Sequence, residues 1–284
     1  MKASVIGGIN LDVTGFSASP LIVRDSNPGQ IRFSPGGVGR NIAEQLARAG
    51  IETTLFTAIS SDSQGDMLYH ACLAGNINVS HALRSPVPTS CYLSIHDADG
   101  DMALAVNDMQ LIDEITPEYL RGVLAEIEKG DVCVIDANLS PESLLFIAEN
   151  VTRPLAADPV STVKIAKLRP ILHRLAAFKP NLIEAKFLTG ETDEKSAAKK
   201  LIDMGVKRVV ISMGDQGAFY MDASGSGFVR PEEVFSCQTN GAGDAMCAGV
   251  CAGCAMDESA EMCAKRGMAF SKRLLEERTL SIRR

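Results

Sequence analysis

Short apolar runs rich in β-branched residues alternate with helical stretches along almost the whole chain, and this alternation limits the fold more than any other feature of the sequence. Parallel strands need long crossovers, which helices supply, so the pattern predicts an α/β protein with a mostly parallel central sheet. The strand candidates are Ala3 to Ile6, Thr53 to Ala58, Val132 to Ile135, Leu155 to Ala157, Phe178 to Lys179 and Arg208 to Ser212. Most are too continuously apolar for a sheet with one wet face, which predicts helices on both sides. Two helices carry start signals: Thr116-Pro117 opens one that stops at Gly130, and Ser140-Pro141 opens another.

Two segments break the alternation. Cys91 to His96, the turn Asp97-Ala98-Asp99-Gly100 and Met102 to Val106 read as a β-hairpin. Asn10 to Phe33 lacks helical periodicity and holds Gly15, Pro20, Pro28 and Gly29. Together, over approximately 10–35 and 88–109, they predict a small β-lid above the strand ends. Surface loops without a role are the plain alternative.

The 284 residues are 46% hydrophobic and 22% charged, which predicts one globular unit over 1–284, since no linker, repeat or low-complexity tract divides them. The longest stretch free of charged and strongly polar residues, Ala245 to Met256, is too short to span a bilayer, and Val5 to Ile9 is too short for a signal-peptide core. A cytoplasmic protein without a membrane partner is expected. The net charge of −7 and the lack of a long Lys/Arg run argue against nucleic acid as a partner. The eight cysteines, Cys237 among them, are expected as thiols, and Cys251-Ala252-Gly253-Cys254 reads as buried small residues rather than half of a zinc site.

The sharpest motif is Thr239-Asn240-Gly241-Ala242-Gly243-Asp244, a glycine turn leading into the small-residue helix Met246 to Cys254. Unsatisfied N–H groups and the dipole at a helix start favour an anion. Asp244 can simply complement that dipole. Alternatively it is a general base for a hydroxyl, while the N–H groups of Ala242, Gly243 and Asp244 hold a transferred phosphoryl group. No Walker-type G-x-x-x-x-G-K-[ST], complete G-x-G-x-x-G or G-x-S-x-G occurs, and the four histidines are scattered. Near the N-terminus, Asn10 and Asp12 follow the first strand, and Pro35-Gly36-Gly37-Val38-Gly39-Arg40-Asn41 enters a helix whose apolar face includes Ile42, Leu46 and Ala49. Asp12 and Asn41 could face one cleft and hold sugar hydroxyls, or serve only as turn and cap residues.

Taken together these residues resemble the ribokinase-like, or PfkB, family of carbohydrate and nucleoside kinases over nearly the whole chain. Gly36-Gly37 with Asn41 and Asn240-Gly241-Ala242-Gly243-Asp244 fit its two signatures, Asn181-Leu182-Ile183-Glu184 fits N-x-x-E, and Ser212-Met213-Gly214-Asp215-Gln216-Gly217 fits its nucleotide loop. The resemblance implies a ribokinase-like sheet with a β-lid, and ATP with Mg2+ as γ-phosphoryl donor to a primary alcohol. It implies Asp244 as the base beside Gly241, Ala242 and Gly243, and Asp12, Gly36, Gly37 and Asn41 on the acceptor. Asn181, Ser212, Gly214 and Gly217 would hold the nucleotide, and Glu184 the magnesium through water. It leaves open a monovalent cation and a homodimer through the lid.

Within the family, Gly36 to Glu44, Ala105 to Met109, Asp136-Ala137-Asn138-Leu139 and Asp158 to Lys164 look most like bacterial pseudouridine kinases. That likeness implies phosphorylation of the pseudouridine 5′-hydroxyl, with Asn138 on the substrate and Asn107, then Asp108, reading the base from the lid. Asn107 could equally just close the hairpin. The rival readings are a PfkB-type kinase for another nucleoside or a sugar (adenosine, ribose, fructose), or a ligand-binding protein on this fold without turnover.

Overall fold

The computed structural model describes residues 1–232 and 240–282. Cys237 and Thr239 lie outside them. From β1 (Lys2–Ile6) the chain leaves the central sheet for β2 (Asn10–Ser17) and β3 (Gly29–Gly36), then returns through α1 (Val38–Arg48) and β4 (Glu52–Phe56). After β5 (Ala58–Ser60), α2 (Ser63–Ala74), β6 (Ile77–Asn78) and β7 (Leu83–Ser85), a second excursion makes β8 (Cys91–His96) and β9 (Met102–Asp108). The regular α/β part follows: α3 (Pro117–Ile127), β10 (Val132–Asp136), α4 (Pro141–Asn150), β11 (Leu155–Asp158), β12 (Leu175–Phe178), α5 (Leu182–Thr189), α6 (Glu194–Asp203) and β13 (Arg208–Ser212). The hairpin β14 (Ala218–Asp222) and β15 (Gly225–Val229) precedes α7 (Ala242–Ala255) and α8 (Ala260–Ile282).

The central sheet has the order β15-β14-β13-β12-β11-β10-β1-β4-β6. It is parallel from β6 to β13, and the β14–β15 hairpin adds an antiparallel edge. Both faces are covered, which is why the strands read as unbroken apolar runs. Ile6, Cys133 and Ile135 point to one side, among Leu120 of α3 and Leu144 of α4. Val5, Val132 and Val134 point to the other, among Ile42 and Leu46 of α1 and Val250 of α7.

Local corrections to the sequence reading have simple causes. The run Thr53 to Ala58 is two strands, because Ala58–Ser60 pairs with β7 in a separate two-stranded sheet. The strand expected at Phe178 starts at Leu175 and ends before Lys179, burial overriding the weak β-propensity of Leu175-Ala176-Ala177. Ala49 is exposed beyond the end of α1, and Ala43 completes its buried face instead. The β14–β15 edge had no counterpart among the strand candidates.

The two excursions pair with each other in a four-stranded sheet of order β3-β2-β8-β9. Its register aligns Asp12 with Ser34 and Tyr92, and Tyr92 with Asn107. Asn107 therefore sits inside β9 and does not close the hairpin. Successive residues alternate between faces, so Asn107 shares the face of Asp12 while Asp108 lies on the other. That other face carries Phe33, Leu93 and Val106 in one row and Ile31 and Leu104 in the next, all exposed.

Candidate active site

The carboxyl ends of the parallel strands meet two helix starts, and backbone contact brings them close. Gly37 begins α1 with φ 99°, and a Cβ on it would lie 2.5 Å from the Gly8 carbonyl oxygen. A Cβ on Gly39 would lie 2.7 Å from Cα of Gly7. Only glycine permits this approach. A Cβ on Gly36 would likewise strike the Asp12 carboxylate, 2.4 Å away. Asp12 accepts from Asn10 Nδ2 at 2.6 Å, and burial raises its pKa against the pull of Asn10 and Arg40.

Asn41, in the first turn of α1, donates from Nδ2 to the Asp244 carboxylate at 2.8 Å. Residues 203 positions apart thus meet across the cleft. Gly241 starts α7 in the left-handed region at φ 75° and supplies no side-chain cap, so the first-turn N–H groups of Ala242, Gly243 and Asp244 lack a carbonyl one turn back. Gly243 has no positive φ. The turn therefore requires glycine at Gly241, whereas at Gly243 the missing side chain leaves the helix start open.

The Asp244 pKa is pushed up to about 7 by burial, with the Asp158 and Asp136 charges adding to the rise and Asn41 and Lys179 unable to cancel it. A carboxyl with that pKa can take a proton near neutral pH. Beneath it lies a buried ionic group that sequence reasoning had not assigned. Asp136, Asp158 and Lys179 each retain 5% or less of their exposure. Lys179 Nζ stands 3.4 Å from Asp158 and 3.7 Å from where a Gly243 Cβ would be. Burial disfavours its charge, but Asp158, Cys247, Glu184 and Asp244 outweigh that and raise its pKa. The Asp136 carboxylate accepts from the N–H groups of Gly8 at 2.9 Å and Asn138 at 2.8 Å. The signal was present in the sequence: each of these charged residues ends, or directly follows, an apolar strand.

On the other side of α7 a cavity of about 730 Å³ is lined by Asn181, Ser212, Gly214, Gly217, Ala242 and Gly243. Val229, Met246, Met268 and Leu275, from β15, α7 and α8, add an apolar wall that sequence reasoning missed. Asn181 caps α5 reciprocally with Glu184: its side chain accepts the Glu184 N–H and Glu184 accepts the Asn181 N–H, both at 2.8 Å. One Glu184 oxygen remains for another partner, and burial raises its pKa against the Asn181 and Lys179 contributions. A long cavity with an apolar wall, a glycine-rich rim and a helix start at one end fits a nucleotide triphosphate. The second Glu184 oxygen, next to the cavity residue Asn181, fits magnesium held mainly by phosphate and water. Among the described residues no cluster of three or more His, Cys, Asp or Glu side chains could hold a metal by itself.

The pfkB family carbohydrate kinase model matches residues 2–281. The chain belongs to the PfkB family. It is thus a phosphotransferase with an alcohol group as acceptor, in a family that generally uses ATP with Mg2+ and acts on small molecules. It is 41% identical to the pseudouridine kinase of Escherichia coli over 89% of this chain and 83% of that one. It is 27% identical to the guanosine-inosine kinase of Exiguobacterium acetylicum over 96% and 94%. The crystal structure of a putative sugar kinase from Clostridium perfringens superposes with a TM-score of 0.85 at 28% identity, covering 96% of this chain and 90% of that one. Among the described residues no helix of this PfkB-family chain is long and apolar enough to cross a membrane.

Proposed function

We propose that this chain is an ATP-dependent kinase that phosphorylates the 5′-hydroxyl of pseudouridine. The observation that carries the reading is the Asn41–Asp244 contact, which joins the acceptor wall to the helix start in one unit. The identity to a pseudouridine kinase supports the choice of nucleoside.

When bound, ATP with magnesium supplies the γ-phosphoryl group and neutralises part of its charge. In this reading Asp12 and Asn41 hold the ribose, and Gly36 and Gly37 let it approach the backbone. Asp244, kept basic by its burial, takes the 5′-hydroxyl proton as the oxygen attacks. The first-turn N–H groups of Ala242 to Asp244 stabilise the phosphoryl oxygens, and the Lys179 ammonium adds positive charge beneath them. Asn181, Ser212, Gly214 and Gly217 hold the nucleotide, and the free Glu184 oxygen orders magnesium-bound water. The second sheet acts as the lid, with Asn107 on the same face as Asp12. Its side-chain oxygen suits the ring N–H that pseudouridine carries at N1 and uridine lacks. The exposed apolar outer face of the lid supports pairing with a second copy of the chain.

The test is ADP release with magnesium and ATP against pseudouridine, uridine, adenosine, ribose and fructose. Turnover preferring pseudouridine is expected. Preference for another acceptor would move the chain elsewhere in the family, the alternative favoured by its likeness to a guanosine-inosine kinase. Binding without turnover would remove the catalytic reading.

A further inference from the structure

Asn138, just past β10, has an orientation decided by its neighbours. Its side-chain oxygen accepts from the Lys164 ammonium. An ammonium only donates, so the oxygen must face Lys164 and the amide nitrogen must turn away from it. That nitrogen lies over the strand end, 3.7 Å from where a Gly8 Cβ would be. Asp136 supports the same arrangement, since the Asn138 side chain as well as its main-chain N–H favours the ionised carboxylate. Lys167 holds the turn by donating to the main-chain oxygens of Asn138 at 3.1 Å and Leu139 at 2.7 Å. Both lysines thus use neutral oxygens of one short turn.

The loop that delivers Lys164 is strained. Val160, two residues past β11, has φ 65°, a left-handed conformation in which the Cβ of a β-branched residue crowds its own backbone. It is held there by its N–H, which donates to Asp158 Oδ1 at 2.8 Å, while Asp158 Oδ2 pairs with Lys179. Strain of this kind persists where the surroundings over-determine it, and it concentrates at ligand sites.

We infer that Lys164 is a positioning residue that holds Asn138 with its amide N–H groups toward the acceptor cleft, so that this wall selects a nucleobase presenting an oxo group over one presenting an amino group. The inference deepens the kinase reading and rests on it. Gly8 separates Asn138 from the α1 side, where Asp12 and Asn41 face the sugar. Asn138 and Lys164 together offer donors. A ring carbonyl satisfies them, whereas an amino group would set N–H against N–H and leave both unpaired. A ribose hydroxyl both donates and accepts, so it gives no such discrimination. The pseudouracil ring carries two carbonyls, and cytosine carries an amino group in place of one.

The experiment compares wild type, Lys164→Met and Lys164→Arg with pseudouridine, uridine and cytidine, by steady-state kinetics and by calorimetric binding of each nucleoside. In Lys164→Met the amide is free to reverse. The expected result is a rise of about tenfold in KM for pseudouridine with a smaller change in kcat, and a fall of about tenfold in the uridine-over-cytidine preference. Lys164→Arg, which still donates, should restore most of both. Asn138→Asp, which puts an oxygen where the nitrogen stood, should move the preference toward cytidine and serves if Lys164→Met fails to fold. Unchanged nucleoside preference in Lys164→Met or Asn138→Asp would overturn the inference and leave the kinase reading standing. Wild type without turnover on pseudouridine would overturn the kinase reading, and the calorimetric uridine-to-cytidine ratio in the two variants would then decide this one.

Discussion

Helices begin in two different ways in this molecule. In α2 to α6 a side chain closes the first turn: Asp62, Thr116, Ser140, Asn181 and Asp193 each accept the N–H of the residue three further on. In α1 and α7 the starting residue is a left-handed glycine, Gly37 or Gly241, with nothing to offer those donors. The capped starts satisfy their own backbone and so contribute to stability. The glycine starts meet across the cleft through Asn41 and Asp244; α1 gives its Arg40 N–H to the Gly8 carbonyl at 3.1 Å, while α7 leaves its first-turn donors to whatever binds. Helix α5 combines the two, since its cap lies in the cavity proposed for the nucleotide and its Glu184 keeps an oxygen to spare.

Asp244→Asn should separate the two kinds of start most strongly. It keeps the shape of the side chain and removes its basicity, so kcat should fall by roughly 10²- to 10⁴-fold with ATP affinity kept. Near-normal turnover would take Asp244 out of the mechanism. In wild type, kcat should rise as pH passes through about 7 and the carboxyl loses its proton. Gly243→Ala should come next. Alanine is the better helix former and its Cβ would meet Lys179 Nζ at an ordinary 3.7 Å, so thermal stability should hold or rise while the added methyl lowers kcat, on the order of tenfold or more. If activity held as well, the helix start would not be the phosphoryl site.

The remaining effects are on stability. Because burial raises the folded pKa of Asp244 above its unfolded value, its contribution to stability is fully present below the unfolded pKa and is lost as pH rises through about 7. Asp244→Asn should therefore melt higher than wild type at pH 8, with the gap closing toward pH 4. A gap independent of pH would mean that the carboxyl is not strained in the folded protein. Asp193→Ala, at the exposed capped start of α6 and outside the residues that line the cavity, should cost about 1 kcal/mol, or about 2–4 °C in Tm, and leave kcat alone. Loss of activity there would break the division between the two kinds of start.

Much of this was legible because the local chemistry is strong. Thr116-Pro117 and Ser140-Pro141 start helices where expected, since a capping oxygen and a fixed φ act without tertiary help. Arg208 to Ser212 is a strand with the expected ends, its apolar centre demanding burial on both sides. The closeness of Gly36 to Asp12 and of Gly37 to the first strand's end was legible because a glycine pair marks a close backbone approach. The apolar wall of the cavity beside α7 was not found, because Val229, Met246, Met268 and Leu275 are ordinary apolar residues until three elements converge. Asp158 and Lys179 stand at strand ends that the sequence marks, but that they pair is visible only once those two ends lie side by side. Asn107 and Asp108 were ranked as neighbours in sequence, and only the strand register shows that they face opposite ways.

The same register bears on how such enzymes change acceptor over evolutionary time. The row Asp12–Tyr92–Asn107 crosses three strands, and β8 and β9 are joined by the short turn Asp97 to Gly100. One codon lost near that turn would slip β9 by a residue and exchange its two faces. Asp108 would then stand in the row of Asp12, setting carboxylate toward carboxylate, and Asn107 would move to the apolar exterior. A lineage could thus remake this face of the second sheet through a single small deletion, with Asp244 and both glycine starts untouched.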